Sequence, residues 1–203
     1  MDIRRFLEKL SSSTPTPGGG SASALAGTLS ASLILMTAGL SLKKGKMKGR
    51  ELRGMKKEVS GIQKRLFRAI EEDAESYEAV LKAFRLPKRT ENERLIRTKA
   101  IQKAYQKATV TPQLVSEQSV KLLEYSHILI LKGNPNAISD VGVAAFLADT
   151  ALKGGLLNIG INLGAVRDQA FRKKMGLLAG KLEKRRNQIM ERIQEALGAT
   201  LPI

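Results

Sequence analysis

A run of 22 residues without a charged side chain, residues 21–42, constrains this chain more than any other feature. As a helix it would be long enough to cross a bilayer. However, fourteen of its residues are Ser, Thr, Ala or Gly, which are typical of helices that pack closely against other helices. Because no second run of this kind follows and the remaining chain is amphipathic, the sequence favours a buried bundle helix over a membrane span.

Elsewhere in the first half of the chain, the spacing of apolar residues also predicts helices. Residues 3–10 predict a short amphipathic helix, and the Pro- and Gly-rich residues 11–20 predict a loop. Apolar side chains at steps of three and four predict one long amphipathic helix over residues 51–86. We expect a further helix to start with a capping box at residues 90–93 and to break near residues 109–111, before Pro112.

The second half contains another apolar helix. It is expected over residues 139–163 with Ser139 as its N-cap, and two glycines at 154 and 155 would allow it to bend. Asp168 is expected to cap a last amphipathic helix that continues to about residue 197. No stretch alternates with a period of two. We therefore predict an all-α fold, a bundle of long antiparallel helices around two central helices rich in small residues, forming a single domain over residues 1–203.

The composition limits the chemistry and the partners. Thirty-five Lys and Arg against 19 Asp and Glu give a net charge of +16, which suits an anionic ligand, nucleic acid or an acidic membrane. Three Tyr and no Trp offer little stacking for single-stranded bases, so a basic nucleic-acid-binding protein remains only an alternative. With no Cys and one His, a cysteine zinc site is excluded and no metal is expected. The first ten residues lack the apolar core of a signal peptide, and we expect a cytoplasmic protein without a membrane partner.

The loop before the first apolar helix is the first candidate site, formed by Pro17, Gly18, Gly19, Gly20 and Ser21. Glycines without a Cβ let a ligand approach the main chain, and the free N–H groups of a helix start can bind an anion or a carbonyl. The alternative is a turn whose glycines only permit tight packing. The residues alone leave both interpretations open.

Polar side chains on the second apolar helix form another candidate. Asp140 near its start could face a cationic or proton-transferring centre, although a capping role is favoured from the residues alone. Asn158 and Asn162 share one face and need partners if they are buried. On one straight helix, Asp140 and Asn158 would be about 27 Å apart. They could share a site only through a second subunit or a break at the two glycines.

The densest acidic patch of this basic chain lies on the long third helix, between residues 71 and 78. Most of its carboxylates are expected to be a solvated helix face. Asp73 is the exception, because Tyr77 lies one turn further on the same face and belongs to the core stripe.

Several motifs, in this order, resemble those of the cyclodeaminase/cyclohydrolase family of tetrahydrofolate one-carbon enzymes. They are Pro15-Thr16-Pro17-Gly18-Gly19-Gly20-Ser21, Asp73-Ala74-Glu75-Ser76-Tyr77, Leu86-Pro87-Lys88, Gly133-Asn134, Ser139-Asp140-Val141-Gly142-Val143-Ala144 and Leu157-Asn158-Ile159-Gly160-Ile161-Asn162. The resemblance covers nearly the whole chain. This chain differs from the family at Met47, because the basic stretch of the family is followed by an aromatic residue at that point.

The resemblance implies an all-helical homodimer with a folate site near the subunit interface and no cofactor beyond the tetrahydrofolate substrate. One implied activity is hydrolysis of 5,10-methenyltetrahydrofolate to 10-formyltetrahydrofolate. The alternative is cyclisation of 5-formimidoyltetrahydrofolate with release of ammonia. The motifs look more similar to those of stand-alone cyclohydrolases.

The resemblance also implies roles for the candidate residues. Asp140 is the first choice and Asp73 the second for the carboxylate that stabilises the cationic bridge and activates water. Tyr77 or Ser139 would relay a proton or hold the water, and the glycine loop would bind the pterin. The other predicted substrate contacts are Asn134, Asn158 and Asn162, together with Lys43, Lys44 and Lys46 for the polyglutamate tail.

Overall fold

The computed structural model describes residues 2–201, apart from the side chain of Lys43, and those residues form helices and connecting loops without a strand. The predicted all-α class is therefore confirmed. The helices are α1 (Ile3–Leu10), α2 (Gly19–Lys44), α3 (Gly49–Phe84), α4 (Glu91–Ala108), α5 (Val110–Lys132), a short 3₁₀ turn (Pro135–Ala137), α6 (Ile138–Ala165) and α7 (Gln169–Gly198).

The two apolar helices, α2 and α6, lie antiparallel at the centre of the bundle. α2 packs against α3, α5 and α6, while α6 also packs against α5 and α7. Small side chains let the two backbones approach, and the Ser30 hydroxyl donates a hydrogen bond of 2.7 Å to the carbonyl of Ala144 across the contact. This packing brings the start of α2 to the C-terminal half of α6.

Among the described residues, α2 is the one helix long and apolar enough to cross a membrane. Length and composition are weak evidence for a span, because core helices of soluble proteins share them. In this structure Ala24, Ala31, Ile34 and Ala38 of α2 are fully buried against neighbouring helices. That burial agrees with the predicted bundle helix.

α6 runs without a break through Gly154 and Gly155, so the helix break that these glycines would allow is not present. They serve close packing instead. A Cβ at Gly154 would overlap the Ser23 hydroxyl of α2, and a Cβ at Gly155 would overlap the Ser116 hydroxyl of α5 and lie 2.9 Å from the carbonyl of Pro112. The glycines therefore allow α6 to contact both neighbouring helices at once.

Gly155→Ala is expected to lower the free energy of unfolding by about 1–3 kcal/mol, because the added methyl group overpacks the α5–α6 contact. Gly180→Ala on the exposed side of α7 is the matched control, since a Cβ there meets no atom within 4 Å. It should raise stability by up to about 1 kcal/mol through helix propensity. Urea unfolding followed by circular dichroism measures both, and equal effects would contradict the packing role of Gly155.

Most predicted helix ends agree with the structure. Thr90 and Glu93 form the capping box of α4, and the chain breaks at Thr109 between α4 and α5. Asp168 caps α7 by accepting a hydrogen bond of 3.0 Å from the N–H of Phe171. α5 ends at Lys132, with Gly133 at its C-cap position.

The predicted N-cap of α6 is wrong. The helix begins at Ile138 with Ala137 at the N-cap position, so Ser139 lies inside the first turn and is exposed. The cause is the 3₁₀ turn, which leads directly into α6. Its own cap is Asn134, whose Oδ1 accepts a hydrogen bond of 3.1 Å from the N–H of Asn136.

Candidate functional site

A pocket of about 580 Å³ lies at the end of the bundle where α2 begins. Its wall combines the glycine loop with the C-terminal parts of α3, α4 and α6. The volume is in the range of pockets that hold cofactor-sized ligands. Four segments that are far apart in the sequence thus meet around one cavity.

Asp73 reaches this pocket from α3 and lies against the first turn of α2. Its Oδ2 accepts a hydrogen bond of 3.0 Å from the Ser21 hydroxyl. A Cβ at Gly20 would overlap Oδ1 and lie 2.6 Å from Cγ of the same carboxyl group. Glycine at position 20 is therefore what lets the carboxyl group approach the helix N-terminus.

The surroundings of Asp73 change its proton affinity. Burial raises the pKa of Asp73 above its usual 3.8, while hydrogen bonds from the Ser21 side chain and backbone oppose that rise without cancelling it. A carboxyl group of this kind is available as an acid at a higher pH than an exposed aspartate. In its ionised form it is also a stronger base.

The raised pKa has a consequence for stability with a definite sign. At pH values between 3.8 and the raised pKa of Asp73, the folded protein binds more protons than the unfolded chain. The free energy of unfolding therefore falls as the pH rises through this range. Asp73→Asn should remove this fall. We expect the stability difference between variant and wild type to shift in favour of the variant as the pH rises above 3.8 and then to level off. Urea unfolding at a series of pH values tests this, and a difference independent of pH would contradict it.

α6 contributes two amides to the pocket wall. Asn158 Nδ2 donates a hydrogen bond of 2.8 Å to the carbonyl of Gly154, and Asn162 Nδ2 donates one of 2.9 Å to the carbonyl of Ala108 at the end of α4. Both amides line the pocket together with the glycine loop, Asp73 and Tyr77. The structure therefore brings together candidates that the sequence predicted separately.

Tyr105 of α4, which is not among the predicted site residues, also lines this pocket. Its ring packs edge-on against Phe84, with 6.2 Å between ring centres. Val80 of α3 and Ile161 of α6 complete the apolar part of the wall. Nothing in the local sequence distinguishes these three residues from ordinary bundle positions, because only the placement of α4 beside α3 and α6 brings them to the pocket.

The other predicted site residues lie at the opposite end of the α2–α6 pair. The Asn134 N–H donates to the Ser41 hydroxyl at 2.9 Å, and the Lys46 N–H donates to the carbonyl of Lys132 at 2.8 Å. Neither residue lines the pocket. The same is true of Lys44, Ser139 and Asp140.

Asp140 and the glycine loop are not brought together within one chain. Because α6 is unbroken, Asp140 lies about 27 Å along the helix from Asn158. The one-chain arrangement through a broken helix is therefore wrong, and a role for Asp140 through a second subunit stays a prediction. The side chain of Lys43 lies outside the described structure, and Met47 packs against the hydrophobic core.

In the part of the chain that the structure describes, no group of three or more His, Cys, Asp or Glu side chains is arranged to hold a metal ion. The titratable side chains of the pocket are Asp73, Tyr77 and Tyr105. The acid–base chemistry available within one chain therefore centres on a single carboxyl group.

A family model described as formiminotransferase-cyclodeaminase matches residues 2–177. The chain belongs to the formiminotransferase-cyclodeaminase family. The match covers every residue that lines the pocket. The resemblance found in the motifs is thereby confirmed.

Individual members of the formiminotransferase-cyclodeaminase family are similar over long stretches. A methenyltetrahydrofolate cyclohydrolase of Methylorubrum extorquens is 37% identical over 186 residues, covering 87% of this chain and 88% of that protein. A formimidoyltransferase-cyclodeaminase of Rattus norvegicus is 29% identical over 96% of this chain, which spans 34% of the rat protein. The crystal structure of a formiminotetrahydrofolate cyclodeaminase from Thermotoga maritima has a TM-score of 0.85 and 25% identity, covering 98% of this chain and 96% of that one.

Proposed function

We propose that this protein is a folate one-carbon enzyme that hydrolyses 5,10-methenyltetrahydrofolate to 10-formyltetrahydrofolate. The observation that carries the proposal is the half-buried Asp73 carboxyl group, held by Ser21 and Gly20 in a pocket of suitable size for a folate. The similarity to a cyclohydrolase over 88% of that relative's length supports the choice of reaction.

Asp73 is proposed to act first as a base and then as an acid. The methenyl bridge carries a delocalised positive charge, which an ionised carboxylate stabilises. As water attacks the bridge carbon, Asp73 accepts one of its protons. When the bond from that carbon to the ring nitrogen N5 breaks, N5 takes the proton from Asp73, and the added hydroxyl group loses its proton to solvent as the formyl C=O forms. The net reaction consumes one water molecule and releases one proton.

The other pocket residues are proposed to position the substrate. The loop residues Gly18, Gly19 and Gly20 offer main-chain N–H groups to the pterin carbonyl. The half-buried amides of Asn158 and Asn162 can bind the polar edge of the same ring system. Tyr77, one turn from Asp73, is proposed to hold the attacking water. No cofactor beyond the tetrahydrofolate substrate is required by this scheme.

The second candidate reaction is cyclisation of 5-formimidoyltetrahydrofolate with loss of ammonia. It would use the protonated form of Asp73 to supply the leaving nitrogen with a proton, and the raised pKa of Asp73 suits that role. Relatives named formimidoyltransferase-cyclodeaminase support it. It ranks second because this chain spans only about a third of their length, whereas it spans most of the cyclohydrolase.

We further propose a homodimer in which two copies pack through α2 and α6. Large apolar side chains on the outer faces of these helices are exposed, with Leu157 at 75% and Ile161 at 74%. The others are Leu29, Met36, Leu40, Val143 and Phe146. Exposed large apolar side chains on neighbouring helices are typical of an interface. Leu157→Glu is expected to convert a dimer to a monomer in sedimentation velocity, and a monomeric wild type at micromolar concentration would reject the dimer.

Such a dimer would give a role to the predicted site residues that lie at the opposite end of the α2–α6 pair from the pocket. With the two-fold axis perpendicular to the antiparallel α2 and α6, the far end of one copy would approach the glycine loop of the other. Asp140, Ser139 and Asn134 would then complete the pocket from the second subunit. Lys43, Lys44 and Lys46 would attract the polyglutamate tail. We expect the protein to work in the cytoplasm.

A side-by-side assay with both substrates tests the proposed function. The purified protein should accelerate the loss of methenyltetrahydrofolate absorbance above the rate in buffer alone. Formimidoyltetrahydrofolate with detection of ammonia measures the second candidate. Ammonia release without any acceleration of hydrolysis would replace the first proposal by the second, and no turnover of either would reject both.

A further inference from the structure

We infer that Tyr105 is a specificity residue that binds the planar part of the substrate, an inference that rests on the folate chemistry proposed above. The chain has three tyrosines and no tryptophan, and two of those tyrosines, Tyr77 and Tyr105, line the same pocket. Two of the eight aromatic side chains of the chain therefore lie at one cavity, where a flat ligand can contact them. The ligand of that cavity is therefore expected to present a flat ring.

The position of the Tyr105 ring is set by residues outside the pocket. Phe84, the last residue of α3, packs against it with an angle of 86° between the ring planes. The Arg97 guanidinium lies 5.4 Å from the centre of the Phe84 ring, and its Nε donates a hydrogen bond of 3.1 Å to the Phe84 carbonyl. A ring that is already held in this way loses little conformational entropy when a ligand packs against it.

The chemistry of the substrate fits an aromatic contact. Methenyltetrahydrofolate has a pterin ring and an aminobenzoyl ring, and the bridge between them spreads a positive charge over adjoining nitrogens. The face of a tyrosine ring attracts both flat conjugated systems and cations. The contact proposed for Tyr105 is with the planar ring system, which methenyltetrahydrofolate and 5-formyltetrahydrofolate share.

Two matched truncations test the inference. Tyr105→Leu removes the pocket ring, whereas Tyr125→Leu makes the same change on α5, where the tyrosine hydroxyl donates to Glu58 outside the pocket. Tyr105→Phe retains the ring and removes only the hydroxyl. The readouts are KM and kcat for methenyltetrahydrofolate, the Kd of 5-formyltetrahydrofolate by calorimetry, and the melting temperature.

Tyr105→Leu should raise KM and Kd about tenfold with little change in kcat, which corresponds to the loss of one good ring contact. Tyr105→Phe should behave like the wild type, and Tyr125→Leu should change only the melting temperature. If Tyr105→Leu does not fold, Arg97→Met provides the second variant. It loosens Phe84 and should raise KM about twofold to threefold.

The outcomes separate this inference from the proposed reaction. Unchanged KM and Kd in Tyr105→Leu would reject the inference, even if the wild type is fully active. The ring would then serve only to pack α4 against the end of α3. An equal loss in Tyr105→Phe would assign the contact to the hydroxyl group and overturn the ring contact. A wild type without turnover that binds 5-formyltetrahydrofolate, with a tenfold weaker Tyr105→Leu, upholds the inference and rejects hydrolysis. Absence of both turnover and binding rejects both.

Discussion

Asp73→Asn is expected to lower kcat for methenyltetrahydrofolate hydrolysis by about 10³-fold, which is the usual contribution of a general acid–base group. Asn has nearly the same shape as Asp, so its carbonyl oxygen can still accept the hydrogen bond from Ser21, and the approach to Gly20 is unchanged. It cannot accept a proton from water. The loss should therefore appear mainly in kcat.

The matched control is Glu71→Gln, which neutralises an exposed carboxylate two residues earlier on α3 and outside the pocket. It should leave the rate at the wild-type value. Asp140→Asn in the same assay separates the two candidate bases. Full activity in Asp73→Asn combined with loss in Asp140→Asn would assign the base role to Asp140 and reject Asp73.

Gly20→Ala is expected to lower kcat/KM by about 100-fold, because a displacement of about 1 Å is enough to remove most of the benefit of a positioned catalytic group. The added Cβ would overlap the Asp73 carboxyl group, so either the carboxyl group or the first turn of α2 must move. The Ser21 hydrogen bond should be lost with it. Initial rates across a range of substrate concentrations measure the effect.

Gly54→Ala on the exposed face of α3 is the control for Gly20→Ala, since a Cβ there meets no atom within 4 Å and the residue lies outside the pocket. It should change the rate little. The double variant Gly20→Ala/Asp73→Asn should be no slower than Asp73→Asn alone, because both changes disable the same carboxyl group. Equal effects of the two alanine substitutions, or additive effects in the double variant, would contradict the structural account.

Local patterns are sufficient to predict the helices of this protein and most of their ends. The spacing of apolar residues follows the buried side of each helix. Capping residues such as Thr90 and Asp168 bond to backbone N–H groups only two or three positions further along the chain. Both are properties of neighbouring residues. The N-cap prediction at Ser139 failed because of a neighbouring turn. The 3₁₀ turn that begins at Pro135 is capped by Asn134 and leads directly into α6, so Ser139 falls inside the first turn of the helix.

The motifs are also local, and their order along the chain was enough to indicate the family. They ranked Asp140 before Asp73, whereas within one chain only Asp73 lines the pocket. Asp140 stands in a conspicuous motif at a helix start, whereas Asp73 lies in an acidic stretch that resembles a solvated surface. Only the packing of α3 against the start of α2 distinguishes Asp73, by burying it beside Gly20 and Ser21.

Helix content, helix ends and family membership can thus be read from residues close to one another in the chain. The composition of the pocket cannot, because Gly20, Asp73, Tyr105 and Asn158 meet only through contacts between four different helices. The same applies to Gly154 and Gly155. The sequence alone would allow them to break α6, whereas the structure packs them against the Ser23 and Ser116 hydroxyl groups within an unbroken helix. A pKa, a cavity or a close approach depends on what lies across the fold, which no local pattern contains.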